Sequence, residues 1–151
     1  MTDAEAHDVR VSRVVPGTPE EVFDAYTDAG KQEVWYAILD EEPGVVRIET
    51  DLRVGGVQTA VWGPDEASLF REEQTFQTID RPHRLVTEST GSTPDGMTLT
   101  TTIDLTFTAE GDGTRIDVVQ TGFPEPEVRD FFANESWPGA FDRIGAYLRR
   151  A

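Results

Sequence analysis

Four side chains have the types that acid–base or carbonyl chemistry needs. Glu73 and Glu88 are carboxyls that could serve as general acid or base if a pocket raised their pKa. Arg71 and Arg115 carry the planar guanidinium that clamps a carboxylate or polarises a carbonyl. In a chain this acidic, exposure and surface pairing are the commoner reading of all four. No other constellation competes. His7 and His83 are the only histidines, and neither has a partner at metal-ligand spacing. Cysteine is absent, which excludes disulfides, thiolate metal centres, iron–sulfur clusters and cysteine nucleophiles. Gly55-Gly56 lacks the third glycine or the Lys-Ser/Thr of a phosphate-binding loop, and its reading is a bend. No calcium loop or nucleophile elbow is present. Neither a metal nor a cofactor is therefore expected.

The aromatic residues are better candidates for a site. Trp35, Trp62, Phe76, Phe107, Phe123, Phe131, Trp137 and Phe141 are expected to line a core or a pocket. Trp35 falls near the loops of two short helices, and Trp137 begins the last helix.

These residues must be positioned by the elements around them. A strand over 7–15 ends at Pro16-Gly17. Thr18, Pro19 and Glu21 then give a helix start, with Val22, Phe23 and Tyr26 as its apolar stripe. Asp28 caps a second short helix ending near Trp35. Strands are expected over 45–50, 57–62, 68–79 and 84–92, separated by Gly55-Gly56, Gly63-Pro64-Asp65 and Asp80-Arg81-Pro82. The 68–79 segment is polar at its centre, with Arg71, Glu72, Glu73, Gln74 and Thr75; Phe70 and Phe76 share one parity, Leu69 and Ile79 the other.

After the turn at Pro94-Asp95-Gly96 the signal is strongest. Met97, Leu99, Thr101, Ile103, Leu105 and Phe107 fall on one face, and threonines with Asp104 on the other. Period two over this length means a sheet with one buried and one wet face. A hairpin at 110–113 leads to a return strand over 114–121. Residues 125–132 read as a short helix. Trp137, Phe141, Ile144 and Leu148 then recur at spacings of three and four, the inner stripe of an amphipathic helix. Pro138 removes a donor and crowds the turn before it, so this helix is expected to start close to Ser136.

The chain has 151 residues, enough for one domain over 1–151 with a core about 8–148. Its 29 acidic against 13 basic residues give a net charge of −16, a field that repels nucleic acid and anionic lipid. No run of apolar residues is long enough to span a bilayer, and the polar start lacks the pattern of a secretory signal. The cytoplasm is the expected compartment. Without that signal, the sequon Asn134-Glu135-Ser136 is read as chance.

Five segments carry a family likeness: VPGTPEEVFDAYTD at 15–28, DLRVGG at 51–56, IDRPHRLV at 79–86, GTRI at 113–116 with TGF at 121–123, and the stripe from Trp137 to Leu148. In order and spacing, over about 8–148, the chain resembles the START/Bet v 1-like (SRPBCC) superfamily. It is most similar there to bacterial proteins related to the C-terminal domain of the Hsp90 ATPase activator Aha1. The chain departs from that pattern at Pro138 and at Glu66, where a glycine often follows the Pro-Asp turn. The resemblance implies an α+β helix-grip fold, a curved antiparallel sheet wrapped around a long C-terminal helix, with two short helices after the first strand. It also implies a central pocket that often takes a hydrophobic or amphipathic small molecule.

Three functions compete. The first is binding of such a molecule in a cavity between the sheet and the last helix. The second is a cyclase or dehydratase acting on an aromatic or polyketide-like substrate, which needs an ionisable group facing the pocket. The third is a co-chaperone-like adaptor with a filled interior and an exposed apolar patch. A chain of this size is also compatible with pairing as a homodimer.

Overall fold

The computed structural model describes residues 7–42 and 44–150. The first six residues, Pro43 and Ala151 lie outside that description, and the polar amino-terminal reading falls largely there. Strand β1 (Val9–Pro16) leads into helix α1 (Pro19–Thr27) through a reciprocal cap. Thr18 Oγ1 accepts from Glu21 N–H at 3.2 Å, and Glu21 Oε1 accepts from Thr18 N–H at 2.9 Å. Asp28 ends α1 and caps α2 (Ala29–Tyr36), its Oδ2 accepting from Lys31 N–H at 3.0 Å.

Six strands follow: β2 (Val45–Thr50), β3 (Val57–Gly63), β4 (Phe70–Asp80), β5 (Arg84–Ser92), β6 (Thr98–Glu110) and β7 (Gly113–Thr121). The sheet has seven strands in the order β1-β7-β6-β5-β4-β3-β2, antiparallel throughout. The helical pair α1–α2 therefore connects one edge strand to the other. The Gly55-Gly56 bend closes against β4: Gly55 N–H donates to the Phe76 carbonyl at 2.8 Å and Phe76 N–H to the Gly56 carbonyl at 3.0 Å. Gly55 has φ +84°, and a Cβ on Gly56 would meet the Asp51 carbonyl oxygen at 2.1 Å, so both positions need glycine.

Two expectations are corrected. Ile79 shares the inner face with Phe76, because the register shifts between Phe76 and Thr78; this bulge absorbs one residue and flips the parity behind it. The last helix does not start afresh at Ser136. Helix α3 (Pro126–Phe131) runs through a π-helical turn (Phe132–Ser136) into α4 (Trp137–Arg149). Ser136 is already helical at φ −66°, ψ −55° and makes no capping bond. A widened turn before Pro138 spares it the clash that a tight α-turn would impose.

Helix α4 packs its stripe inward on β1 and α2. Trp137, Phe141 and Ile144 are buried, and Leu148 is partly buried against the same core. No helix among the described residues is long and apolar enough to cross a membrane.

Pairing register divides the sheet's covered face into two halves. Toward the β4–β5 turn it is apolar: Ile79, Leu85, Leu105, Val118 and Val11 form one row across five strands, with Phe107 and Ile116 beyond it. Helix α1 lies over β6 and β7 here, and Phe23 meets Phe107 edge-on at 5.4 Å. Toward the β3–β4 and β5–β6 turns the same face becomes polar.

Candidate functional site: a polar row on the buried face

Thr50, Gln58, Gln74, Ser89 and Thr101 lie directly opposite one another across β2, β3, β4, β5 and β6. All five are polar, and all but Thr50 are buried. Burying this many polar groups under helices costs free energy unless each finds a partner. Here each of the five has a polar side-chain partner, most of them outside the row. Thr87 Oγ1 donates to Gln74 Oε1 at 2.8 Å, and Thr50 Oγ1 to Gln58 Oε1 at 3.1 Å. Trp137 Nε1 donates to Gln120 Oε1 at 2.8 Å, and Gln120 Nε2 donates to Thr101 Oγ1 at 2.8 Å. The last helix is thus anchored to the row through an indole.

One row nearer the β3–β4 turn stands Glu72, flanked by Ala60 on β3 and Gly91 on β5. Ala60 is fully buried, whereas a Cβ built on Gly91 would meet only the Arg71 carbonyl oxygen, at 3.8 Å, so the carboxyl has open space on the β5 side. Ser89 Oγ donates to Glu72 Oε2 at 2.5 Å and Gln74 Nε2 to Oε1 at 3.3 Å. Burial pushes the Glu72 carboxyl above its ordinary 4.5, and these two bonds offset part of the rise. The residue still keeps accessible surface. The carboxyl is thus enclosed on most sides and open on one.

Two tyrosines stand close to this carboxyl. Burial raises both hydroxyls above their ordinary 10, and the nearby Glu72 charge raises them further. Neither Tyr26 nor Tyr36 donates or accepts a hydrogen bond through its hydroxyl among the described residues. The single fully sealed side-chain polar atom without a partner there is Gln32 Oε1, so the two hydroxyls reach accessible space. Trp62 meets Tyr36 edge-on at 5.9 Å and stacks on Phe70 at 5.9 Å, so an aromatic wall continues from Tyr36 to Phe70.

Helix α2 holds Tyr36 in place by three ties. Trp35 Nε1 donates to the Ala25 carbonyl at 2.7 Å, joining α2 to α1. Glu33 Oε2 accepts from Ile48 N–H at 2.9 Å, which also occupies a backbone donor on the edge strand β2. Arg143 on α4 donates to the Tyr36 carbonyl at 2.7 Å and to Asp40 Oδ1 at 2.9 Å.

The structure distributes the expected site residues unevenly. Phe76 faces inward beside the polar row, Trp62 forms the aromatic wall, and Trp137 bonds into the Gln120 pair. Trp35, Phe107, Phe123 and Phe141 are buried in the core. Phe131 is 57% exposed; the ring that packs on Phe123, at 5.1 Å, is its neighbour Phe132. Arg71, Glu73, Glu88 and Arg115 alternate with the inward residues and so stand on the opposite, wet face of the sheet. Arg71 pairs with Glu73 at 2.9 Å, and Arg115 with Asp117 at 2.9 Å and Glu110 at 3.1 Å.

The carboxyl that meets the interior is therefore Glu72. Sequence reasoning passed over it, although it shares its parity with Phe70 and Phe76. Two surface grooves include none of Glu72, Tyr36 and Trp62, though the first touches the row at Thr50. One of about 360 Å³ runs between the α1–α2 junction and Thr50 and Leu52; another of about 460 Å³ includes Pro19, His83, Arg84 and Phe107.

Comparison with known proteins agrees with this architecture. The family model for Activator of Hsp90 ATPase homolog 1-like proteins matches residues 16–149. No curated protein matches the chain. Among solved structures, a Rhizobium leguminosarum protein superposes with a TM-score of 0.75 at 17% identity, over 95% of each chain. Protein Ms6760 of Mycobacterium smegmatis gives 0.73 at 21% identity, over 99% of this chain and 96% of that one. DynU16, described as a protein of the dynemicin biosynthetic locus, gives 0.70 at 18% identity, over 95% of this chain and 47% of that one.

Proposed function

We propose that this chain, which belongs to the Activator of Hsp90 ATPase homolog 1-like family, binds a small amphipathic molecule between its sheet and its helices. The polar end of the ligand lies at Glu72, and its apolar part runs along Tyr36 and Trp62. The observation that carries this reading is the polar row on a face that a purely structural sheet would fill with aliphatic side chains. Natural sequences break such local rules mainly at functional sites. Support also comes from the accessible, unpartnered hydroxyls of Tyr26 and Tyr36, which leave acceptors and donors for a guest.

A second reading, acid–base catalysis of a cyclase or dehydratase type, is favoured by one feature. Glu72 is an inward carboxyl whose pKa is raised by burial, beside two phenols. Both readings require that the space beside Glu72 be a recess that a guest can enter. Native mass spectrometry of gently purified protein tests this first. An organic mass retained by the parent protein and lost in Tyr36→Ala is the expected result. Repeated absence of any adduct, with a recess shown to be solidly packed, would overturn it.

A further inference from the structure

We propose that the recess selects organic cations, taking an amphipathic molecule whose protonated amine sits between the Glu72 carboxyl and the rings of Tyr36 and Trp62. The inference rests on the binding reading above and specifies its ligand. Glu72 takes part in no ion pair among the described residues; its two partners, Ser89 and Gln74, are neutral. The nearby cations are engaged elsewhere. Arg71 points to the wet face and holds Glu73, while Arg143 is held by the Tyr36 carbonyl and Asp40. The titratable groups that face Glu72 are thus the phenols of Tyr26 and Tyr36, whose ionisation its charge opposes and which are uncharged at ordinary pH.

A carboxyl enclosed without a counter-ion is costly, and a guest carrying positive charge removes that cost. The aromatic faces beside it attract the same kind of guest through their quadrupoles. Gly91, which has no side chain and is not fully buried, leaves space for an ammonium on the β5 side of the carboxyl. The overall charge of −16 draws cations toward the chain and repels fatty acids and phosphates, which would also meet Glu72 with like charge.

Three probes of one shape test this: naphthylethylamine, naphthylethanol and naphthylacetate, each titrated by quenching of tryptophan fluorescence. The parent protein should bind the amine about tenfold more tightly than the alcohol, with the carboxylate weakest. In Glu72→Gln the amine and alcohol should converge. In Glu88→Gln, which removes the same unit of charge from the wet face, the preference should persist. Because the amine stays protonated below neutrality, its preference in the parent should also fade as Glu72 takes up a proton. That pH profile decides the matter if Glu72→Gln does not fold. Equal binding of all three probes, tightest binding of the carboxylate, or a preference lost equally in Glu88→Gln would overturn the cation inference and leave the recess standing. Binding of none would overturn both.

Discussion

Replacing Glu72 with glutamine should make the protein more resistant to unfolding at mildly alkaline pH, although it removes a well-placed hydrogen-bonding group. The folded chain holds the Glu72 carboxyl above its ordinary 4.5 because burial disfavours the charged form. A raised carboxyl pKa means that the native state binds this proton more tightly than the unfolded state. Stability from this group is then fully present below the unfolded value and is lost as pH rises through the folded one. Glutamine keeps the shape and cannot ionise, so it escapes that loss.

The size follows from a single proton. The stability advantage of Glu72→Gln can grow by at most about 1.4 kcal/mol per pH unit, and only across the window between the unfolded and folded pKa values. In acid, where the parent carboxyl is protonated in both states, the two proteins should agree within about 1 kcal/mol, the net worth of one exchanged hydrogen bond. For a chain of this length each kcal/mol appears as about 2–4 °C in Tm. Urea unfolding of parent and variant side by side at several pH values gives the difference directly, and the titrations of other carboxylates cancel in it. A difference that is flat with pH, or one that turns against glutamine as pH rises, would refute the claim that Glu72 is enclosed without a counter-ion.

Other substitutions probe the rest of the architecture. Trp137→Phe removes the donor to Gln120 Oε1 and should cost about 1–3 kcal/mol, read from the urea midpoint, because the acceptor stays buried. Gln32→Met deletes a buried oxygen that has no partner and should leave the midpoint unchanged or raise it by up to about 1 kcal/mol. Ile144→Ala, at a fully buried position on the inner stripe of α4, should cost about 2–5 kcal/mol in the same assay. Arg81→Ala breaks a two-pronged pair with Asp24 whose side chains are 49% and 41% exposed, so the cost should stay below about 1 kcal/mol. Asp24 is held below its ordinary 3.8 chiefly by the Arg81 hydrogen bond, so this cost should be present above that value and vanish as pH falls through the folded one.

Local residue chemistry made most of the fold legible. Thr18, Pro19 and Glu21 spelled out the start of α1, and the alternation from Leu99 to Phe107 marked β6 and its buried face. What misled was parity. Glu73 and Arg71 drew attention as chemical types, yet Phe70 and Phe76 already put Glu72 and Gln74 on the inner side. Thr101, the lone polar residue on the apolar face of β6, was a signal of the same kind. That Gln58, Gln74, Ser89 and Thr101 form one row depends on the register between strands, which no single segment encodes. The bulge at Phe76 and the π-helical turn before Pro138 each shift a face by a residue, and a strict count of twos or threes and fours misses both.

The central claim is that a small molecule enters between the sheet and the helices and lies over Glu72. Intermolecular nuclear Overhauser effects between bound naphthylethylamine and the protein test it most directly. The account predicts cross-peaks from the naphthyl protons to the rings of Tyr36 and Trp62, and from the aminoethyl chain to Gly91. Cross-peaks confined to the exposed side chains of Leu52, Met97 or Phe131 at saturating probe would contradict it.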